Sequence, residues 1–371
     1  MTKFMQDILR QPTELKRALE YLCRRDCPPF KADVGTSRLD VPAAAVRTAE
    51  HVYLTGIGSS WHAALNVGAM LSAQGRPVYM QDAAELLQFA TIPENSVIIV
   101  ISRSGRSIEI VRLLAKARKS GAKVIGITNV ADGTLAREAQ FPIVVPVELD
   151  HAISVNTYTS LALAAGILAA SVVGLFDETL ATALSRSIAD VGRAAPEWRQ
   201  QLAKSAWLRP GSTTYFLARG SSLGSAYEAR LMWEEGVKSP ATAMGAASFR
   251  HGPQEIVGVP EGARLSAGVD NGVRLGIWID AARMREEDLV LAHDLRQLGA
   301  RVMLVGQNLS ADAGDLVFSL PAIPAEWQFL IDIIPAQLTA ERLARLSGAD
   351  PDTFRLCSYI VGADEGLLPS K

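Results

Sequence analysis

A chain of 371 residues is too long for one ordinary hydrophobic core and suits two domains. Hydrophobic residues make up 49%, charged residues 20%, and the net charge is -2. With no basic excess to hold a phosphate backbone, nucleic acid is not an expected partner. The three cysteines, Cys23, Cys27 and Cys357, suggest no disulfide framework. Cys23 and Cys27 have no further ligands nearby, so no metal is expected.

The elements read clearly in chain order. The start, MTKFMQDILR, lacks the apolar core of a signal peptide. Residues 4–24 read as an amphipathic helix with a break at Pro12. HVYLTGIG (51–58) is a strand and glycine turn, and SSWHAALNVGAMLSAQG (59–75) is a serine-capped helix stopped by glycine. PVYMQDAAELLQF (77–89) begins as a short strand. SVIIVIS (96–102) is a fully buried strand by its continuous β-branched run. SIEIVRLLAKARKSG (107–121) is an amphipathic helix, and AKVIGITN (122–129) and FPIVVPV (141–147) are strands. Residues 152–176 carry no charge, but their first third is polar and the rest is rich in alanine and glycine. They predict a helix buried among others, because a membrane span needs ~20 strongly apolar residues. The expectation is a cytoplasmic protein with no membrane partner. The alternation of strand and helix predicts an α/β fold with a mostly parallel sheet and helices on both faces.

The pattern then repeats. Gly-Ser-Ser occurs at 58–60 and at 220–222, an offset of 220 − 58 = 162, each time after a strand and before a helix. RLGIWID (274–280), EEDLVLAHDLRQLGA (286–300) and RVMLVGQN (301–308) follow the order of 95–129 at an offset of 178. Two tandem three-layer α/β/α domains are expected. Their bounds are a helical segment 1–48, a first domain 49–180, a linker helix 181–206, a second domain 207–334, and a C-terminal helix and tail 335–371. At the second offset, Ser102, Ser104 and Gly105 correspond to Asp280, Ala282 and Arg283. The second copy lacks the serines, so a ligand of the serine loop belongs to the first copy alone.

That loop, S-R-S-G-R-S (102–107), lies at the carboxyl end of a parallel strand, where open α/β sheets bind ligands. Free backbone N–H groups and the positive end of the following helix favour an anion there. Ser102, Ser104 and Ser107 can donate to phosphate oxygens, and Gly105 lets the backbone approach closely. There is no Walker lysine and no GxGxxG, so a small monophosphate fits better than a nucleoside triphosphate or dinucleotide. An ordinary capped serine turn is the competing reading. Ser59 and Ser60 form a second strand-end turn, which could contact the ligand or simply start a helix. In the second half, Glu228, Met232 and Glu235 fall at i, i+4 and i+7 on a helix, and His251 precedes Gly252-Pro253. A carboxylate and an imidazole are a common pair for proton transfer between carbon and oxygen. Taken alone, a surface glutamate and a structural histidine are the plainer account.

With these motifs the chain resembles the double sugar isomerase (SIS) domain proteins. It is similar to the isomerase half of glucosamine-6-phosphate synthase, to amino-sugar-phosphate deaminases and to fructosamine-6-phosphate deglycases. The resemblance runs from DILRQP near the start to ADPDTFR (349–355). It implies that Ser102, Arg103, Ser104 and Ser107 bind the sugar phosphate, and that Ser59 and Ser60 add hydroxyl contacts. The family's base is a glutamate sixteen residues before the histidine of H-G-P, and 251 − 235 = 16. Glu235 would then move a proton between C1 and C2, and His251 would assist ring opening. The histidine often comes from a neighbouring subunit in this family, which implies a homodimer with a shared site. No cofactor is implied.

The departures from the family are specific. A lysine three residues before the base is replaced by Met232, and one in the C-terminal tail by Tyr359. The lysine of the family's S-T-K pattern is missing from DHAISVNTYTS (150–160), where Asn156 stands nearest and Ser154 still can approach the sugar. A mechanism needing an amine near C2 is therefore disfavoured. Neither a glutaminase domain with its N-terminal cysteine nor a DNA-binding module is visible, so neither a full amidotransferase nor a transcriptional regulator is expected. The leading expectation is an aldose–ketose isomerase or deaminase acting on an amino-sugar 6-phosphate. The alternatives are a fructosamine-6-phosphate deglycase and a non-catalytic phosphosugar sensor.

Overall fold

The computed structural model describes residues 1–23, 39–258 and 270–363. Cys27 and Lys371 lie outside them. The N-terminal helix α1 (Lys3–Cys23) carries Pro12 in its interior and does not break there, contrary to the sequence expectation. Phe4, Met5, Ile8, Leu15, Leu19 and Leu22 are all buried, and that apolar stripe holds the helix through the proline.

The first sheet is built from β1 (His51–Thr55), β2 (Tyr79–Met80), β3 (Ser96–Ile101), β4 (Lys123–Thr128) and β5 (Phe141–Val144). All strands are parallel, in the order β2-β1-β3-β4-β5. Every residue of β3 is buried, as its unbroken apolar run requires. Helices α2 (Asp40–Thr48), α3 (Ser59–Ala73), α4 (Ala83–Phe89), α5 (Ile108–Ser120), α6 (Thr134–Glu138) and α7 (Asn156–Val172) flank it. Asp82 caps α4 by accepting the N–H groups of Ala84 and Glu85 at 2.9 and 3.0 Å. Gly121 ends α5 in the left-handed conformation, at φ 72°. The uncharged helix α7 is buried along almost its whole length, as its composition predicts.

A second parallel sheet follows α8 (Glu178–Ala203): β6 (Thr213–Ala218), β7 (Thr242–Gly245), β8 (Val273–Trp278), β9 (Arg301–Gln307) and β10 (Leu316–Leu320). Its order is β7-β6-β8-β9-β10, the same as in the first sheet. Helices α9 (Leu223–Met232), α10 (Ala246–Phe249), α11 (Arg285–Gln297) and α12 (Ile334–Ser347) accompany it. A ring cluster forms part of its core: Phe216 lies 4.8 Å from Trp233 and 5.9 Å from Trp278, edge to face.

The chain divides into two compact units, residues 10–185 with 353–371, and residues 1–9 with 186–352. In each sheet the strand order turns back at one place, between β1 and β3 in the first and between β6 and β8 in the second. The crevice beyond the carboxyl ends of those strands is where open α/β sheets accept ligands.

Candidate functional site

In the first unit, β3 runs into the serine loop at this crevice. Ser102 continues the sheet through its N–H, which donates to the carbonyl of Ile127 at 3.0 Å. Its hydroxyl accepts the N–H of Gly105 at 3.1 Å, and the Ser104 hydroxyl accepts the N–H of Arg106 at 3.2 Å. Both serines are buried. Because each hydroxyl oxygen is held as an acceptor, its own proton remains available to an outside acceptor. Gly105 has φ +62°, and a Cβ there would lie 2.8 Å from the Cβ of Leu135. Glycine is required on both counts. Ser107 is the N-cap residue of α5 and makes no side-chain cap bond. The loop is tied down from β4, where the Thr128 hydroxyl and the Asn129 N–H both donate to the carbonyl of Arg103, at 3.0 and 3.1 Å.

Ser59 and Ser60 open α3 at the adjacent end of β1, after Gly58 at φ 57°. Ser60 is buried and Ser59 half-buried. Arg103 donates to the hydroxyl of Ser154 at 3.4 Å and to the carbonyl of Tyr359 at 2.6 Å. The Ile108 N–H, at the start of α5, donates to the carbonyl of Val361 at 3.0 Å. The C-terminal tail thus lies against the serine loop. The three residues after Ser154 are held by Asp150, a buried carboxylate that accepts five hydrogen bonds of 2.6–2.9 Å from Val155, Asn156 and Thr157. The tail carbonyls carried no signal in the sequence, since their partners lie more than two hundred positions away, whereas Asp150 finds all its partners within seven residues.

The matching crevice of the second unit is chemically different. Asp280 stands where Ser102 stands, and its carboxylate accepts the N–H groups of Arg283 and Met284 at 2.6 and 2.8 Å. The bond from Ser102 to Gly105 is therefore repeated, 178 residues on, with a carboxylate in place of a hydroxyl. Beside it, fully buried Asp288 receives Arg219 Nε at 2.6 Å and the Asp280 N–H at 3.1 Å. Burial pushes the Asp288 carboxyl up, against the pull of Arg219. Gln328 bridges the crevice by donating to the Ile279 carbonyl at 3.1 Å and to the Ser222 hydroxyl at 3.5 Å. Asp332, wholly buried nearby, receives the Ser225 hydroxyl at 2.6 Å, yet burial raises its pKa to about 7. An anion brought here would meet carboxylates where the first unit offers hydroxyls.

The second unit holds the sequence's acid–base candidates. Glu228, Met232 and Glu235 do not share one regular helix: α9 ends at Met232, and Trp233–Val237 form a π turn. Glu228 and Met232 are buried, while Glu235 is half-buried. The wider turn re-aims Glu235, and such single π turns are frequent at functional sites. Trp233 anchors the turn in the ring cluster, and Lys238 closes it at φ 58° with its ammonium donating to the carbonyl of Glu235. Periodicity at 3.6 residues could not reveal the extra residue. His251 is exposed on a short turn, its N–H donating to Ser248, with Gly252 at φ 122°. Among the described residues, no cluster of histidine, cysteine, aspartate and glutamate is arranged to hold a metal, and no helix is long and apolar enough to cross a membrane.

A doubled parallel α/β fold with a serine loop at one switch point defines the class of architecture to which the chain belongs, and known proteins share it. Residues 45–170 match the SIS domain family. The glutamine--fructose-6-phosphate aminotransferase [isomerizing] of Pyrococcus horikoshii is 25% identical over 318 residues, 82% of this chain and 50% of that protein. The chain spans about half the length of the curated relatives it matches. Among solved structures, the C-terminal domain of glucosamine-fructose-6-phosphate aminotransferase from Francisella tularensis superposes with a TM-score of 0.78 at 17% identity, covering 95% of this chain and 98% of that one. Glucosamine-6-phosphate deaminase from Thermotoga maritima gives 0.75 at 22% identity, with 97% and 99% covered. These likenesses extend the shared fold over nearly all of the chain.

Proposed function

We propose that the protein is a phosphosugar enzyme built of two tandem three-layer SIS domains, an aldose–ketose isomerase or deaminase acting on an amino-sugar 6-phosphate. The observation that carries this reading is the serine loop: two buried hydroxyls, each held as an acceptor by a backbone N–H, at the switch point of a parallel sheet. Ser102, Ser104 and Ser107 would take the phosphate, and Arg103, Ser154, Ser59 and Ser60 would contact phosphate or sugar. The relative's name describes an isomerising aminotransferase of fructose 6-phosphate and the structural neighbour's a glucosamine-6-phosphate deaminase, which supports a sugar 6-phosphate as substrate.

Holding the phosphate fixes the open-chain sugar and lowers the entropic part of the barrier. Glu235 would take a proton from one of C1 and C2 and return it to the other, while His251 would pass a proton to or from the ring oxygen as the ring opens. The exposure of His251 suits a site completed by a neighbouring subunit, and so a homodimer. No cofactor is needed for these transfers, and the substrate class fits a cytoplasmic enzyme.

One observation favours a second reading. Met232 is fully buried in the place of a lysine, and Tyr359 lies on Arg103 in the place of another, so no amine stands at either position. A deglycase that splits a fructosamine 6-phosphate needs proton transfer but no such amine. A phosphosugar sensor has less support, because it gives the π turn at Glu235 no task. Incubating the protein with glucosamine 6-phosphate, fructose 6-phosphate and a fructosamine 6-phosphate, followed by NMR, separates the reactions by their products. Turnover of none of the three, with binding retained, would leave the sensor; absence of both would overturn the reading.

A further inference from the structure

The unit formed by residues 1–9 and 186–352 contains a groove of about 450 Å³ that the phosphosugar reading does not use. Its walls are regular helix faces. On α12, Leu338, Glu341, Arg342 and Arg345 recur at i, i+3, i+4 and i+7; on α8, Arg199 lies one turn from Ala203. Met5 and Leu202, both buried, add apolar floor.

Three arginines line this one space. Among the described residues, no hydrogen bond or ion pair engages the side chain of Arg199, Arg342 or Arg345. The Nε of Arg342 is buried and has no acceptor. Glu341, the sole acid of the lining among the described residues, is 2% exposed and is already engaged by the Thr2 hydroxyl at 2.9 Å. Arg345 sits in the last turn of α12 and complements the helix dipole there, but Arg199 and Arg342 lie outside the last turns and have no such duty. Buried donors in native proteins have partners, so a groove with a surplus of guanidinium groups and an unmet buried N–H points to an anion from outside.

We propose that this groove binds an organic phosphate whose other part is flat or apolar, of the size of a nucleoside mono- or diphosphate. Guanidinium forks match phosphate oxygens bidentately, and their planes stack on rings. The apolar floor takes the body of the ligand, and the volume falls within the ordinary range for small-molecule sites.

Isothermal titration of the full chain with ADP, pyrophosphate and adenosine tests this. ADP should bind saturably with Kd below about 1 mM, more tightly than either part alone. Arg342→Gln with Arg345→Gln should weaken ADP at least about tenfold, whereas Ser104→Ala should leave it unchanged. Because Arg199 is exposed, Arg199→Gln keeps the fold and should weaken ADP about threefold by itself, which preserves the test if the double variant is unstable. The proposal is overturned if ADP does not bind saturably, if the arginine variants bind it as the parent does, if pyrophosphate matches ADP, or if Ser104→Ala abolishes ADP binding and so moves it to the serine loop.

Discussion

Arg103 donates a 2.6 Å hydrogen bond to the main-chain carbonyl of Tyr359, and its guanidinium carbon lies 5.2 Å from the centroid of that residue's ring. One side chain therefore binds the C-terminal tail to the serine loop 256 residues earlier. The pair is exposed, so water screens it; the hydrogen bond and the cation–π contact together should hold the tail by about 1–2 kcal/mol. Arg103→Ala should speed limited proteolysis within residues 353–361 roughly five- to thirtyfold. An unchanged cleavage rate would show that the bond from Ile108 to the Val361 carbonyl suffices without it.

Ser104→Ala removes one hydroxyl from the proposed phosphate cradle. If that hydroxyl donates to a phosphate oxygen, affinity for a hexose 6-phosphate should fall by ~1.5–3 kcal/mol, the worth of a hydrogen bond to a charged group. Titration of the variant should show this with the melting curve nearly unmoved. Equal affinity in parent and variant would reduce the loop to a structural turn.

Gly105→Ala asks more of the fold. The residue must adopt φ +62°, and the new methyl would meet Leu135 at 2.8 Å. The left-handed conformation costs a non-glycine residue ~1–2 kcal/mol, and overpacking adds ~1–3 kcal/mol. Chemical denaturation should register a loss in that range, accompanied by weaker phosphate binding.

Glu235→Gln keeps the shape of the π turn and removes the proposed proton acceptor. Turnover should drop at least ~10²-fold while sugar-phosphate affinity stays within a few-fold. Mixing this variant with His251→Ala, each inactive alone, should restore part of the activity if subunits exchange and share sites. Failure to complement after verified exchange would assign both residues to one chain's site.

Asp332 links stability to pH. Its folded pKa is raised to about 7 by burial, from 3.8 in the unfolded chain. Between those values the folded state binds a proton that the unfolded state does not, so stability falls as pH rises from about 4 to about 7 and levels off above. The effect is on the order of 2–4 kcal/mol. Asp332→Asn should flatten melting temperature across that window and raise it at pH 8. A variant as pH-dependent as the parent, or less stable at pH 8, would place the titration elsewhere.

Much of the fold was open to a reader of the sequence, for reasons that can be named. β3 is six residues long, its last five an unbroken apolar run, too short for a buried helix and continuous as a strand covered on both faces is. Gly121 marks the end of α5 because a left-handed residue there nearly demands glycine. The repeat at an offset of 178 was visible and has a structural counterpart, Ser102 to Gly105 and Asp280 to Arg283. Pro12 misled, because a local rule about a missing N–H was outweighed by six buried apolar side chains along α1.

The chain's own order of residues was sufficient for the parallel α/β elements, for the serine loop at a strand's carboxyl end, and for the loss of that loop's hydroxyls in the second copy. All of these are local patterns of polarity and backbone preference, written in consecutive residues. Folding alone decided that the tail would lie on Arg103, that Glu235 would ride a π turn anchored by Trp233 in the ring cluster, and that three arginines would meet around one groove. Those outcomes depend on which distant groups exclude water from one another, and no spacing along a chain encodes that.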